Sequence, residues 1–253
     1  MKISLIQSNL KWEDPEANRN EFEKQIEKSA DSDLIVLPEM FTTGFTMNPQ
    51  HLAEHPNGTT TRWMQKLAKR HNCAITGSII AAENSNYYNR LLFVEPSGKV
   101  TPYDKRHLFS YAGEDKIYSR GEKKVIIEYN GWRICPLICY DLRFPVFSRN
   151  VEDYDIALYV ANWPTQRIFA WDTLVKARAI ENMCYVVAVN RVGQDGNGHD
   201  YPGHSQILDP VGKMLTEPSE NESALNAVVN KNELYEKRQQ LGFLDDRDTF
   251  TLN

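Results

Sequence analysis

The chain has 253 residues, 29 of them Lys or Arg and 34 Asp or Glu, for a formal charge of -5 at pH 7. Its basic residues are scattered among acidic ones, as in Glu122-Lys123-Lys124 and Asp245-Asp246-Arg247, so the basic field that phosphate-backbone recognition needs is missing and no nucleic-acid partner is expected. With 41% hydrophobic and 25% charged residues the sequence is that of an ordinary globular protein rather than a disordered one, and its length suits a single α/β domain over 1–253.

Lys2 to Ser8 predicts a strand that begins directly after Met1, with no apolar leader or small-residue cleavage site, as expected of a cytoplasmic protein. Asp14-Pro15 is an N-cap followed by a first-turn proline, and Phe22, Ile26 and Ala30 recur at helical spacing. Asp33 to Leu37 is a short continuous apolar run, the mark of a strand buried on both faces. A second helix begins near Thr61, with Met64, Leu67, Ala68 and His71 on one side, and leads into a buried strand over Cys73 to Ile80. This β-α-β-α-β order predicts an α/β architecture.

Two hairpins follow. Arg90 to Val94 and Lys99 to Tyr103 flank Pro96-Ser97-Gly98, while Val125 to Tyr129 and Trp132 to Leu137 flank Asn130-Gly131, a pair suited to a type I′ turn in which both central residues need positive φ. Ile156 to Val160 predicts a strand, Phe169 to Asn182 a helix and Tyr185 to Val189 a strand. Gln206 to Leu215, broken by Asp209-Pro210-Val211-Gly212, and Ala224 to Val229 add further strand signals, and Lys231 to Leu241 reads as a charged terminal helix. Runs such as Tyr185 to Val189 fall far short of the ~20 apolar residues of a membrane helix, so no membrane span is expected.

The four cysteines, Cys73, Cys135, Cys139 and Cys184, are too few for a disulfide scaffold, and none has zinc-type spacing to a second Cys or His pair. They read as free thiols, and no metal site is expected. Cys139 follows the apolar run Ile134 to Ile138 and precedes the polar Tyr140-Asp141-Leu142-Arg143. A strand that ends in a nucleophile and turns sharply presents that side chain at the sheet edge; equally, free cysteine is among the most buried residue types. Glu39 closes Leu34-Ile35-Val36-Leu37-Pro38, an unusual place for a carboxylate. Partly desolvated there it could shuttle a proton near neutral pH, or it could simply reach solvent as the strand ends. Lys105, next to Arg106 and His107, follows the strand signal at Thr101 to Asp104 and is either a surface cation or an ammonium aimed at an oxyanion. His107, His199 and His204 are the histidines that could partner a catalytic cysteine.

Leu-Pro-Glu-Met-Phe at 37–41, Tyr-Asp-Lys-Arg-His-Leu-Phe at 103–109 and Ile-Cys-Tyr-Asp-Leu-Arg-Phe-Pro at 138–145 resemble, in this order, the motifs of the nitrilase superfamily of carbon-nitrogen hydrolases. The resemblance runs on through Ala161-Asn162-Trp163-Pro164, Arg178 to Asn182, Asn190-Arg191-Val192-Gly193 and Gly203-His204-Ser205. It implies a four-layer α-β-β-α sandwich that forms a homodimer, with the C-terminal tail from about 231 to 253 at the interface. It also implies a catalytic set: Glu39 as general base, Lys105 as oxyanion lysine, Cys139 as nucleophile, and Glu114, seven residues before Gly121, as the second glutamate. The backbone N–H of Tyr140 would complete the oxyanion site. Phe144-Pro145-Val146-Phe147 departs from the Phe-Pro-Glu of many members, which argues against several nitrilase and carbamoylase branches.

Within the superfamily, Phe-Thr-Thr-Gly-Phe at 41–45, Lys-Arg-His-Leu-Phe at 105–109 and Cys-Tyr-Asp-Leu-Arg-Phe-Pro-Val at 139–146 look most like bacterial ω-amidases. These hydrolyse the terminal amide of 2-oxoglutaramate or 2-oxosuccinamate through a cysteine thioester, releasing the 2-oxo acid and ammonia. Such chemistry needs no cofactor, because a positioned base and a thiol divide amide cleavage into two easier steps. An anionic oxo-acid tail calls for a cation near the pocket. Arg143 is the candidate, its other reading being an arginine that ties the turn to Asp141. Phe41, Phe45 and Trp163 are candidate pocket walls, or core residues. Two alternatives remain open: a hydrolase of another small aliphatic amide or nitrile, and a catalytically inactive redox-sensing or interaction protein on the same fold.

Overall fold

The computed structural model describes residues 1–251, so the last two positions of the tail expected at the dimer interface lie outside the described residues. Strand β1 (Lys2–Gln7), helix α1 (Pro15–Lys28), strand β2 (Leu34–Val36), helix α2 (Thr59–His71) and strand β3 (Ala74–Glu83) form the β-α-β-α-β opening that the periodicity predicts. The Asp14 carboxylate caps α1 by accepting the Ala17 N–H at 3.0 Å, and Pro15 occupies the first turn. Helix α2 ends where Asn72 takes up the left-handed conformation.

Strand β3 then turns back into β4 (Asn86–Val94), and β4 into β5 (Val100–Asp104). The sequence predicts β4 only from Arg90. The structure starts it at Asn86, because Asn84 and Ser85 both adopt positive φ and close a tight turn that pairs Glu83 with Asn86. Polar side chains over Asn86 to Asn89 hide this pairing, which is made by main chain. After a short helix α3 (Glu114–Ile117), the hairpin β6 (Ile127–Tyr129) and β7 (Trp132–Ile138) turns at Asn130-Gly131 with positive φ at both, as the sequence predicts. A short helix α4 (Pro145–Ser148), strand β8 (Ile156–Ala161), helix α5 (Ile168–Asn182) and strand β9 (Tyr185–Asn190) follow. The chain finishes with a small ribbon of β10 (Val192–Gln194) and β11 (Asp200–Pro202), then β12 (Gln206–Leu208), β13 (Ser223–Val228) and helix α6 (Lys231–Leu241).

One sheet has the order β13-β1-β2-β3-β4-β5 and the other β12-β9-β8-β7-β6. Alternation along the first sheet creates the layers. Ile3, Leu5, Leu34, Val36 and Phe93 share a core with Ile134, Leu137, Leu158 and Val187 of the second sheet. Their neighbours Ile6, Ile35, Ile75 and Leu92 face the other way, onto Phe22 and Ile26 of α1 and Met64 and Leu67 of α2. Trp171, Val175 and Ala179 of α5 and Leu234 of α6 cover the second sheet. The result is the four-layer α-β-β-α sandwich. Each fully buried Leu, Ile or Val contributes roughly 1.5–3 kcal/mol of burial free energy. Among the described residues no helix is long and apolar enough to cross a membrane.

The strand directions decide where chemistry can gather. β1, β2 and β3 are mutually parallel, and β5, antiparallel to an antiparallel neighbour, runs with them. β7, β8 and β9 are also mutually parallel. Carboxyl ends of β2, β5, β7 and β8 therefore meet at one edge, where open α/β sheets place their ligands.

Gly121 holds one of these ends. Its N–H donates to the Lys105 carbonyl at 2.8 Å, and a Cβ at this position would sit 2.1 Å from the Asp104 carbonyl oxygen. Gly121→Ala must therefore push the end of β5 aside. It is expected to destabilise the fold by about 1–3 kcal/mol in urea unfolding, the usual range for overpacking. A midpoint equal to that of the parent protein would contradict this packing.

Candidate active site

Glu39 lies three residues past β2 on a segment tied to β3. The Leu37 N–H donates to the Thr76 carbonyl at 2.7 Å, and Met40, with positive φ, donates its N–H to Ser78 Oγ at 2.8 Å. The Glu39 carboxylate is completely buried. Its Oε1 accepts from Lys105 Nζ and Asn89 Nδ2, each at 2.8 Å, and its Oε2 from the Asn162 backbone N–H at 2.8 Å. Lys105, the first residue past β5, is equally buried, and its ammonium also reaches Glu114 Oε1 at 3.1 Å and Oε2 at 3.0 Å. Glu114 is fixed in turn by the Phe109 N–H at 2.6 Å and by Asn89 Nδ2 at 3.3 Å. Glu39, 66 residues before Lys105, thus forms one buried charge cluster with Lys105 and Glu114.

Cys139 is the first residue past β7 and opens a 3-10 turn over Cys139–Arg143. Its φ is +42°, a backbone state that a non-glycine residue holds only when its surroundings enforce it. Asp141 does the enforcing. Its Oδ2 accepts from the Ile138 N–H at 2.9 Å and from the Tyr103 hydroxyl at 2.7 Å, while its Oδ1 accepts from the His107 N–H at 3.0 Å and lies 2.7 Å from His107 Nδ1. One buried carboxylate therefore clamps the cysteine turn to the segment that carries Lys105. Cys139 Sγ lies 3.8 Å from the Asn162 carbonyl.

These groups sit in a cavity of about 650 Å³ whose lining includes Glu39, Lys105, Cys139, Tyr140, Asn162 and Trp163. Phe45 lies over the Lys105 ammonium at 5.1 Å from the ring centre, and the Arg143 guanidinium over Trp163 at 5.0 Å. Arg143 makes no ion pair with a carboxylate among the described residues, and Asp141 is taken by other donors, so the reading of Arg143 as a tie to Asp141 is not what the structure has. Phe41 is a correction. It is fully buried on the helix side of the first sheet, edge-on to Phe22 at 5.4 Å, and belongs to the core rather than the cavity wall. Of the three histidines, His107 is engaged with Asp141 and stacked on Phe144 at 3.7 Å, His204 faces Asp172 at 3.0 Å, and His199 lines the cavity.

Asn89 and Asn162 are site residues that sequence reasoning missed. Asn162 was visible as part of Ala161-Asn162-Trp163-Pro164 but without a role, and Asn89 lies just before Arg90, where the predicted strand begins.

The carbon-nitrogen hydrolase family pattern matches residues 2–239. The chain belongs to the carbon-nitrogen hydrolase family. It is 46% identical to the omega-amidase YafV of Escherichia coli K12, with 100% of this chain and 98% of that protein aligned. It is 34% identical to a 2-oxoglutaramate amidase of Bacillus subtilis, with 96% of each covered. A crystal structure of a CN-hydrolase superfamily protein from Xanthomonas campestris, carrying an arsenic adduct in its active site, superposes with a TM-score of 0.98 at 43% identity, over 100% of this chain and 99% of that one.

In this carbon-nitrogen hydrolase the protonation states follow from burial and charge. Desolvation alone would pull the Lys105 pKa down, but the carboxylates of Glu114 and Glu39 outweigh it and hold it above the ordinary lysine range. Burial raises the Glu114 pKa, against the pull of Lys105 and with a further push from Glu39. Burial, and after it the Glu39 charge, lifts the Cys139 thiol well above its usual value despite Lys105. Cys139 is thus a neutral thiol at pH 7, and a thiol in that state can act as a nucleophile only with the help of a base. Burial is also the main cause that raises the other three thiols, Cys135 and Cys184 to about 12 and Cys73 to about 11.

Glu39→Gln removes the negative charge that opposes the thiolate. The Cys139 thiol is then expected to titrate at lower pH in the variant than in the parent, read from ultraviolet thiolate absorbance against a Cys139→Ala blank. An unchanged or higher titration point would show that Glu39 does not act on the sulfur.

Proposed function

We propose that this carbon-nitrogen hydrolase is an ω-amidase that hydrolyses the terminal amide of 2-oxoglutaramate or 2-oxosuccinamate. One observation carries the reading: Glu39, Lys105 and Cys139 line one cavity, with Glu114 held against Lys105, and the cavity wall offers an arginine, Arg143, without a carboxylate partner among the described residues. The activities named for the E. coli and B. subtilis relatives support the same substrate class.

In this mechanism Glu39 removes the proton of the Cys139 thiol as the sulfur attacks the amide carbon. The new oxyanion is held by the Lys105 ammonium and the Tyr140 N–H, one of the first-turn amides that a helical turn leaves without internal partners. Both oxygens of Glu114 hold the ammonium, so Lys105 keeps its aim while Glu39 changes protonation. Collapse breaks the C–N bond, and Glu39 passes its proton to the departing nitrogen, which leaves as ammonia. A thioester remains on Cys139. Water, deprotonated by Glu39, attacks it, and the thiol recovers a proton as the 2-oxo acid departs. Arg143 binds the substrate carboxylate, with Phe45 and Trp163 as walls.

The same reading makes the enzyme a single-domain cytoplasmic homodimer with the 231–253 tail at its interface. The four free thiols suit a reducing compartment. Exposed apolar side chains at Val146 of α4 and Phe169 and Ile180 of α5 support a contact between copies, and light scattering is expected to give the mass of two chains.

Ammonia release tests the function. Cys139→Ala is expected to abolish turnover with an unchanged circular dichroism spectrum, and Lys105→Ala to lower kcat by about a hundredfold or more. Mass spectrometry is expected to find an acyl adduct on Cys139 in Glu39→Gln. The parent enzyme should favour 2-oxoglutaramate over uncharged amides. Equal kcat/KM values on a neutral aliphatic amide would replace the ω-amidase reading with that of a general amidase, and turnover surviving in Cys139→Ala would remove the enzyme mechanism altogether.

A further inference from the structure

A second guanidinium stands in the cavity wall that neither the motifs nor the mechanism uses. Arg167 closes the 3-10 turn Thr165–Arg167 between β8 and α5, lines the cavity, and is half-buried. Its guanidinium lies 5.1 Å from the centre of the Phe109 ring. Like Arg143 it has no carboxylate partner among the described residues, although three carboxylates line the same cavity. Those three are engaged elsewhere. Glu13 accepts the Thr46 hydroxyl, Glu39 holds Lys105, and Asp195 accepts the Tyr201 hydroxyl at 2.8 Å and the Asn197 and His199 N–H groups.

The two arginines are built as a pair. Arg143 lies over Trp163, and the Trp163 indole N–H donates to the Arg167 carbonyl at 2.8 Å, so the ring under one guanidinium is anchored to the residue that bears the other. Phe109, the ring under Arg167, gives its N–H to Glu114 and is therefore tied to the Lys105 cluster. An aromatic seat partly desolvates and orients a guanidinium while leaving its planar fork of N–H donors open. Two such forks, neither hydrogen-bonded to an acceptor among the described residues, are what a small, planar, oxygen-rich anion can satisfy.

We propose that Arg167 is the second arm of an anion clamp, and that Arg143 and Arg167 together bind the carboxylate and adjacent oxo group of a 2-oxo acid tail while the amide faces Cys139. This assignment rests on the ω-amidase reading above and names the residues that would make the enzyme prefer an anionic substrate. Arg167→Met keeps an apolar stem of similar reach over Phe109 and removes the fork.

The test separates binding from turnover. In a Cys139→Ala background, calorimetric titration with 2-oxoglutaramate is expected to give a Kd weakened roughly ten- to a hundredfold by Arg167→Met, the loss of one charge-assisted partner. In the active enzyme the same change should raise KM for 2-oxoglutaramate far more than it lowers kcat, and shrink the preference for this substrate over a neutral amide. Arg167→Lys, with charge but no fork, should fall between the two. A parent enzyme that prefers 2-oxoglutaramate while Arg167→Met and Arg167→Gln, both folded by circular dichroism, bind it as tightly as the parent would overturn the clamp and leave the ω-amidase reading standing. A parent enzyme with no such preference would overturn that reading first, and the clamp with it.

Discussion

Everything at the open edge of the sheets depends on the contact between the Lys105 ammonium and the two carboxylates around it. Three charges are buried almost completely, at a cost of several kcal/mol per ion that mutual attraction repays only when the remaining donors and lone pairs are also satisfied. The protein supplies those partners, and Glu39 itself, from four separate segments. Asn89 comes from β4, the Asn162 N–H from beyond β8, the Phe109 N–H from the loop after β5, and Glu39 from beyond β2. Two carboxylates against one ammonium leave the cluster with a negative excess when all are ionised. Burial, and after it the charge of Glu39, keeps the neighbouring Cys139 sulfur protonated, and a thiol is oxidised less readily than a thiolate.

Assembling such a cluster demands that strand ends be held in register, and the devices that hold them are local. Positive φ at Met40 and Cys139 turns the chain sharply just where a functional side chain must leave its strand. Such backbone states cost of order 1–3 kcal/mol each, and buried hydrogen bonds from Ser78 and Asp141 oppose that cost. Asp141 also spans the two sheets, since Tyr103 and His107 belong to the first sheet's edge and Ile138 to the second. One carboxylate therefore ties the end of the strand that leads to the sulfur to the segment that carries the ammonium.

Much of the layered fold was legible in the sequence, because period-2 and period-3.6 patterns report directly on burial. The apolar run before Glu39, the Asn130-Gly131 turn and the Lys231–Leu241 helix all emerged with bounds near those observed. Residues whose role lies in main-chain pairing did not emerge, since an alternating pattern is silent where side chains are polar; Asn89 at the start of β4 is the clearest case. Phe41 and Phe45 show another limit. Four residues apart with similar flanks, one turns to the helix layer and the other over Lys105, a difference set by the turn at Met40 to Gly44 and not by composition. Glu114 was reachable only through the family resemblance, because nothing in Gly113-Glu114-Asp115 marks a residue destined for complete burial.

The charge of -5 takes on a particular meaning once the cavity is mapped. An acidic protein cannot draw an anion by its overall field, and surface charges beyond ~8 Å are largely screened at physiological salt. Attraction must come from cations on the cavity wall itself, within a few ångströms of the bound anion. The inner end holds Glu39 and Glu114 around Lys105, whereas the wall holds Arg143 and Arg167, seated on Trp163 and Phe109 and without a carboxylate partner among the described residues. In the proposed reaction a substrate with one anionic and one neutral end therefore meets a field with a direction. The carboxylate is favoured against the guanidiniums and disfavoured beside the carboxylates, so the neutral amide is the end delivered to the sulfur. The 2-oxo acid product carries a second carboxylate where the amide had been. It places a negative charge beside Glu39 and Glu114, and the repulsion that orients the substrate also promotes release of the product.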